Sequence, residues 1–265
     1  MALSALPPVT LAGRVVLITG ASQGIGEGIA RAAAEAGAAG IAVVGRDPAR
    51  TERVAASLRT AGTQAVPLVA DLVDAATCEG LIVRAAAALG PVDGLVNAAG
   101  LTDRGTLEDT SAALWDRLFA VNARAPFLLM QGLARRLGAL GRPGAVVNVI
   151  TMSSHGGQPF LTAYAASKGA LATLTRNAAH GLRAQRIRVN GINLGWTDTP
   201  GEHAIQARDG RPPDWLAGAE AAQPFGRLIR PRDVAGLAVY LLSDAAEMMT
   251  GALIDFDQNV MGAYG

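Results

Sequence analysis

Along most of the chain, short apolar runs alternate with longer amphipathic stretches. Val15-Val16-Leu17-Ile18 is a β-branched run stopped by Gly20, and Ile25 to Ala36 follows with the spacing of a helix that ends at Gly37. The unit recurs as Ile41 to Val44 before Ala49 to Ala61, and as Val66 to Val69 before Ala75 to Leu89. Leu95-Val96 marks a fourth strand ahead of Ala98-Ala99-Gly100 and a long helical stretch, Ser111 to Leu140. Ala145 to Ile150 predicts a fifth strand, Thr162 to Ala184 a helix and Ile187 to Ile192 a sixth strand. A final helix, Arg232 to Leu242, precedes a last strand at Leu253 to Phe256. Strands that are apolar throughout are covered on both faces, and strands separated by helices run parallel. The pattern predicts an α/β fold: a single Rossmann-type doubly wound parallel sheet with helices on both faces. Ligands of such a sheet lie outside the carboxyl ends of its strands.

The rhythm breaks once. Pro200 to Pro224, with Pro212-Pro213 and Trp215, reads as a lid-like insertion over that crevice, the substrate segment as a whole spanning residues 195–225. Residues 1–12 read as an N-terminal tail and 13–265 as one domain without an internal linker. Composition narrows the function. A net charge of +1 supplies no field for nucleic acid or anionic lipid, and 4% aromatic residues leave no base-stacking surface. One cysteine excludes a disulfide framework, and three histidines leave no metal site. Met1 to Thr10 lacks the basic start of a secretory signal, and the apolar runs are far shorter than the roughly 20 residues of a membrane span. The expectation is a cytoplasmic protein acting on a small molecule, with no nucleic-acid or membrane partner.

Between the first strand and first helix lies Thr19-Gly20-Ala21-Ser22-Gln23-Gly24-Ile25-Gly26. Gly20 permits a tight turn, Gly24 and Gly26 admit a pyrophosphate to the backbone, and the free N–H groups of the next helix face the anion. The second strand ends in Val44-Gly45-Arg46-Asp47. An acidic residue here would hold the ribose 2′-hydroxyl of NAD(H), whereas an arginine suits a 2′-phosphate. Arg46 favours NADP(H); Asp47 keeps NAD(H) open if the strand runs further. Tyr164-Ala165-Ala166-Ser167-Lys168 puts a phenol and an ammonium on one helix face. A neighbouring Lys⁺ lowers a tyrosine pKa toward the range of a general acid/base.

These motifs, in this order, resemble the short-chain dehydrogenase/reductase family in its common single-domain form. Beyond the glycine loop and Tyr164-xxx-Lys168, the matches are Asp71-Leu72, Asn97-Ala98-Ala99-Gly100, Val121-Asn122-Ala123, the hydroxyl segment before Tyr164, and Arg188-Val189-Asn190. The resemblance implies an alcohol dehydrogenase or ketone reductase that uses NADP(H), or NAD(H), on a small alcohol or ketone. Tyr164 would be the acid/base, Lys168 would tune it and hold the nicotinamide ribose, and Asn122 would hold a relay water. Gly20, Ser22, Gln23, Gly24, Ile25, Gly26 and Arg46 would bind the phosphates, and Asp71 and Leu72 would frame the adenine. Asn97, Ala98 and Gly100 would line the cleft, and Gly195, Thr197 and Thr199 would meet the nicotinamide end. A homotetramer is also implied, with Ser111–Leu140 and Thr162–Ala184 packed across a two-fold axis at Gly169 and Gly181.

Three departures stand out. The family's carbonyl-polarising serine, thirteen residues before the tyrosine, is Thr151 here, with Ser153 as a substitute. Asn-Asn-Ala-Gly is Asn97-Ala98-Ala99-Gly100. The Pro-Gly after the sixth strand is Leu194-Gly195, a change expected to loosen the following loop. His155, Gln158 and Trp196 are expected beside the substrate and suggest a polar, sugar- or polyol-like one. A 3-oxoacyl-carrier-protein reductase is the alternative within the family, for which Arg183, Arg186 and Arg188 would offer a basic face. A dinucleotide-binding protein without turnover is the alternative outside catalysis.

Overall fold

The computed structural model describes residues 7–262; the part of the expected N-terminal tail before Pro7 lies outside them. The remainder of that tail is not free, because Leu11 is fully buried and its N–H donates to Ala36 O at 2.8 Å.

Seven parallel strands form one sheet in the order β3-β2-β1-β4-β5-β6-β7. They are β1 (Val15–Thr19), β2 (Gly40–Gly45), β3 (Gln64–Val69), β4 (Gly94–Asn97), β5 (Gly144–Val149), β6 (Ile187–Leu194) and β7 (Leu253–Phe256). Successive residues of β1 point to opposite faces. Val16 and Ile18 join a core with Ile29 of α1 (Gly24–Glu35), Val54 of α2 (Pro48–Thr60) and Val234 of α9 (Pro231–Leu242). Val15 and Leu17 join the opposite core with Leu81 of α3 (Ala75–Leu89) and Leu133 of α5 (Ala125–Leu140). Both faces are therefore dry, which is why the central strands carry no polar alternation.

Side-chain oxygens start several helices. Asp47 caps α2, Asp74 caps α3, Ser111 caps α4 (Ala112–Phe119) and Thr199 caps α7 (Pro200–Arg208). The stretch expected as one helix, Ser111 to Leu140, is instead α4, a π-helical turn over Ala120–Arg124, and α5. Pro126 explains the break. It has no N–H for the Asn122 carbonyl four residues back, and the Ala125 N–H reaches Ala120 O, five back. The insertion at Pro200–Pro224 is ordered into α7 and α8 (Trp215–Ala221) rather than irregular. The Tyr–Lys pair lies on α6 (Thr162–Leu182). Arg188, placed with a basic cluster by the sequence, points inward and donates to Leu241 O and Ser243 O at the end of α9. Among the described residues no helix is long and apolar enough to cross a membrane.

β1 and β4 are neighbours whose crossovers leave to opposite faces, so a crevice opens above their carboxyl ends. On the far side of α1, Gly28 lets α9 approach closely: a Cβ there would lie 2.9 Å from Pro231 Cβ. Gly28→Val is expected to cost about 1–3 kcal/mol by overpacking. At about 2–4 °C per kcal/mol for a chain of this size, the midpoint of thermal unfolding should fall by about 2–12 °C; an unchanged midpoint would contradict this packing.

Candidate active site

The crevice encloses about 930 Å³, within the roughly 300–1,000 Å³ usual for ligand sites. Its floor is where two loops cross. Thr19 Oγ1 accepts the N–H groups of Ala98 and Ala99 at 3.1 and 3.2 Å, joining the end of β1 to the end of β4. Gly20 has φ +67, and a Cβ on it would stand 2.7 Å from Ala99 Cα. Gly24, at φ +57, faces the cleft, and a Cβ on it would stand 3.5 Å from Thr199 Cβ. Gly26 differs from expectation, because its missing side chain makes room for the Gly20 carbonyl, 2.4 Å from a Cβ, rather than for a pyrophosphate. Gln23, at the α1 N-cap, gives no side-chain cap, so the first-turn N–H groups of α1 are left for an anion. Its Oε1 accepts from Arg50 Nη1 at 2.6 Å instead.

At the end of β2 the side chains divide. Arg46 and Ser22 line the cleft. Asp47 does not: its carboxylate accepts Arg50 N–H at 3.0 Å and Arg50 Nε at 2.8 Å, and those bonds hold it below the ordinary aspartate range. Position 45 has no room for a side chain, since a Cβ would lie 2.5 Å from Thr51 Oγ1 and 2.8 Å from Ser22 Oγ. Asp71, Leu72, Ala98 and Gly100 line the cleft as expected, with Ile25, Gly195, Thr197 and Thr199. Asn97 does not reach it. It is 2% exposed and donates to Asn148 Oδ1 at 2.8 Å, part of a buried polar chain that continues to Thr175. The loop after β6 is not loosened by the absence of proline. β6 runs through Leu194, and Gly195 N–H, Asp198 N–H and Ile229 N–H bond to Phe256 O, Ile229 O and Trp196 O.

Tyr164 and Lys168 occupy adjacent turns of α6 at the floor of the cleft, 8% and 4% exposed. Lys168 Nζ donates to Val149 O at 2.9 Å, and burial pulls its pKa down to about 8. The expected lowering of the tyrosine is not what this structure shows. Burial pushes the phenol up to about 12, a hydrogen bond with Thr151 works against that, and the Glu202 carboxylate adds to the rise. Desolvation of a phenolate outweighs an ammonium that is itself desolvated and turned to a backbone carbonyl.

The two candidate hydroxyls meet. β5 ends at Val149, Thr151 is extended, and Ser153 lies in a 3₁₀ turn over Met152–His155. Thr151 Oγ1 donates to Ser153 Oγ at 3.3 Å, and Ser153 Oγ donates to Gln158 Oε1 at 2.5 Å. Thr151 is thus the hydroxyl next to the phenol, and Ser153 is one bond further out. Asn122, with 0% exposure, spends its amide on Leu101 N–H and O, both at 2.9 Å, and on Ser167 Oγ. Its backbone carbonyl has no α-helical N–H partner four residues on, because that residue is Pro126.

At the outer end, Gln158 and Trp196 line the cleft, but His155 does not. Its Nε2 lies 3.1 Å from Asp255 Oδ1 and 3.3 Å from Asn193 Nδ2, on the other side of the 3₁₀ turn. The sequence reading missed Glu202, Gln206, Arg104 and Arg211 as lining residues. Trp196 and Trp215 stack at 5.9 Å. Two ion pairs at 2.7 Å, Asp103–Arg208 and Arg104–Asp209, tie α7 to the loop after β4. The Thr199-x-x-Glu202 pattern is a helix-start signal and could have placed Glu202 on an ordered lid.

Comparison with known proteins agrees with this geometry. A family model described as enoyl-(acyl carrier protein) reductase matches residues 20–258. The cis-4-hydroxycyclohexanecarboxylate dehydrogenase of Sinomonas cyclohexanicum is 38% identical over 92% of this chain and 95% of its own. 2-(S)-hydroxypropyl-CoM dehydrogenase 3 of Xanthobacter autotrophicus is 37% identical over 93% and 96%. A solved structure from Beutenbergia cavernae, described as an NAD(P)-dependent gluconate 5-dehydrogenase with NADP bound at low occupancy, superposes with a TM-score of 0.85. It is 35% identical and covers 95% of this chain and 98% of that one. Likeness of this extent to dehydrogenases of hydroxy compounds makes the chain a member of the short-chain dehydrogenase/reductase family, an NAD(P)-dependent oxidoreductase acting on CH–OH groups.

Proposed function

We propose that the protein interconverts a secondary alcohol and a ketone on a small, polar, sugar- or polyol-like substrate with NADP(H). The observation that carries the reading is the buried Tyr164–Lys168 pair in one cleft with the Thr151 hydroxyl, beside a glycine loop whose helix N–H groups are free. That loop fits a dinucleotide, because Gly20 and Gly24 hold backbone conformations that L side chains rarely adopt. When bound, the nicotinamide supplies or accepts the hydride. Thr151 Oγ1 polarises the substrate oxygen and Tyr164 exchanges its proton. Lys168, whose charge is weakened by burial, stabilises the phenolate as it forms, and the Asn122 carbonyl holds a water behind it.

Three features support NADP(H) over NAD(H). Arg46 lines the cleft, Asp47 is committed to capping α2, and a side chain at position 45 meets Ser22 and Thr51. The Beutenbergia structure, which holds NADP, agrees. Gln158, Ser153, Glu202 and Gln206 at the outer end support a polar substrate. A carrier-protein substrate is disfavoured by Arg188, which is folded into the α9 terminus and not part of a basic face. Thr151 keeps a hydroxyl in the cleft with Tyr164, which argues against a protein without turnover. The lone thiol, Cys78, is buried, and burial pushes it up to about 11, as expected for an inert cysteine in a reducing cytoplasm. The apolar groove between α5 and α6, lined by Phe127, Met130, Leu174 and Gly181, supports the two-fold pairing of a homotetramer. Gly169 lies elsewhere, against Ser154 O.

Tyr164→Phe should reduce turnover by about two to four orders of magnitude while cofactor binding persists. Thr151→Val should cost about a hundred- to a thousandfold, as for one lost oxyanion donor, and Thr151→Ser should keep activity. Steady-state assays over a panel of ketones and alcohols decide this, and full activity in Tyr164→Phe would end the proposal. Arg46→Ala should weaken NADP(H) binding about ten- to a hundredfold and leave NAD(H) little changed, the worth of a charge-assisted hydrogen bond. Titration of both cofactors by fluorescence tests it; a wild type that prefers NAD(H) would overturn the assignment. Light scattering at micromolar concentration should give a tetramer, and a monomer there would refute the pairing.

A further inference from the structure

The cleft holds a carboxylate that the proton chemistry above does not use. Glu202 lies in the first turn of α7, where Thr199 Oγ1 accepts its N–H at 3.1 Å. A Thr-x-x-Glu start ordinarily turns the glutamate back onto the N–H of the cap residue. Here it turns to the cleft wall: Oε1 accepts from Trp196 Nε1 at 2.9 Å and from Gln206 Nε2 at 2.6 Å. Gln206 is 4% exposed and Trp196 is stacked on Trp215, so both donors are held in place. Among the described residues Oε2 accepts from no side chain or backbone donor, and the residue lines the same cleft as Tyr164, Thr151 and Gln158. An ionised carboxylate only accepts hydrogen bonds. A ligand that covered the open oxygen without offering a hydrogen would strand a desolvated charge.

We propose that Glu202 is a specificity-determining residue that accepts a hydrogen bond from a second hydroxyl of the substrate, so that the cleft selects polyhydroxy compounds over monohydric alcohols. This rests on the reading of the cleft as the site of a polar alcohol. A hydroxyl is favoured over an ammonium because Arg211, in no ion pair among the described residues, already lines the cleft with positive charge. The selection should amount to about ten- to a hundredfold, the worth of a hydrogen bond to a charged acceptor.

The test compares wild type with Glu202→Gln, which keeps an oxygen for Trp196 and loses the charge. Substrates are 2,3-butanediol, 2-butanol and 1-amino-2-propanol with NADP(H). The ratio of kcat/KM for diol over mono-alcohol should fall at least tenfold in the variant, mainly through KM. The pH-profile limb that belongs to Tyr164, whose neighbours are Thr151, Lys168 and Glu202, should move to lower pH, because the carboxylate helps to hold the phenol protonated. A lid-bracing role alone would lower both substrates equally; that result, or a larger loss for the amino alcohol than for the diol, overturns the proposal. Calorimetric binding of D-sorbitol to protein preincubated with NADPH, which cannot accept a hydride from it, is a readout without turnover, and Glu202→Gln should weaken it at least tenfold. Glu202-dependent binding without turnover of any alcohol would sustain this inference and remove the catalytic reading. A polyol that neither binds nor reacts would overturn this inference.

Discussion

The Thr19 hydroxyl holds together the point on which the site depends. Where the strand order reverses, β1 and β4 lie side by side while the chain leaves them toward opposite faces, and nothing in the sheet ladder fixes the two departing loops to each other. Thr19 does so by accepting two successive N–H groups of the β4 loop. Gly20 completes the join by letting the loops cross at a distance no side chain would tolerate. From that crossing the glycine loop reaches the start of α1, and Ala98 to Gly100 lead to the corner where Lys168 and Asn122 converge. A Cβ on Gly100 would lie 3.6 Å from Lys168 Nζ and 3.7 Å from Asn122 Oδ1.

Burial sets the electrostatics of that corner. Tyr164 and Lys168 are each driven toward the neutral form, the phenol upward and the ammonium downward. Each therefore responds strongly to a new charge or hydrogen bond, because little water is present to screen it. The ammonium keeps a single hydrogen bond, to Val149 O, and the Thr151 hydroxyl opposes the rise of the phenol. A site of this kind is poised by its neighbours rather than by solvent, and the Glu202 carboxylate on α7 adds to the rise at the phenol.

What the sequence revealed followed from period and position. Buried strands, capped helices and the Gly20, Gly24, Tyr164 and Lys168 pattern are local features, and they stand where the spacing put them. What it hid depended on contacts between distant segments. Asn97 sits inside a motif that lines the cleft, yet its side chain is drawn to Asn148 on the next strand. His155 is carried away from the cleft by a 3₁₀ turn that closes on Thr151 and by Asp255 on β7. The π-helical turn was legible in principle, since Pro126 stands four residues after Asn122, but helical periodicity alone masks a one-residue widening. Glu202 was hidden because its chemistry depends on Trp196 and Gln206 turning the same way.

The cramped surroundings of Gly45 have an evolutionary reading. Thr51 is fully buried and its hydroxyl is bound to Asp47 O at 2.6 Å, so it cannot simply swing aside to admit a side chain. Ser22 closes the other side from within the phosphate loop. A side chain at position 45 would have to displace both Thr51 and Ser22. The order in which substitutions could accumulate at this position is constrained by volume before it is constrained by charge.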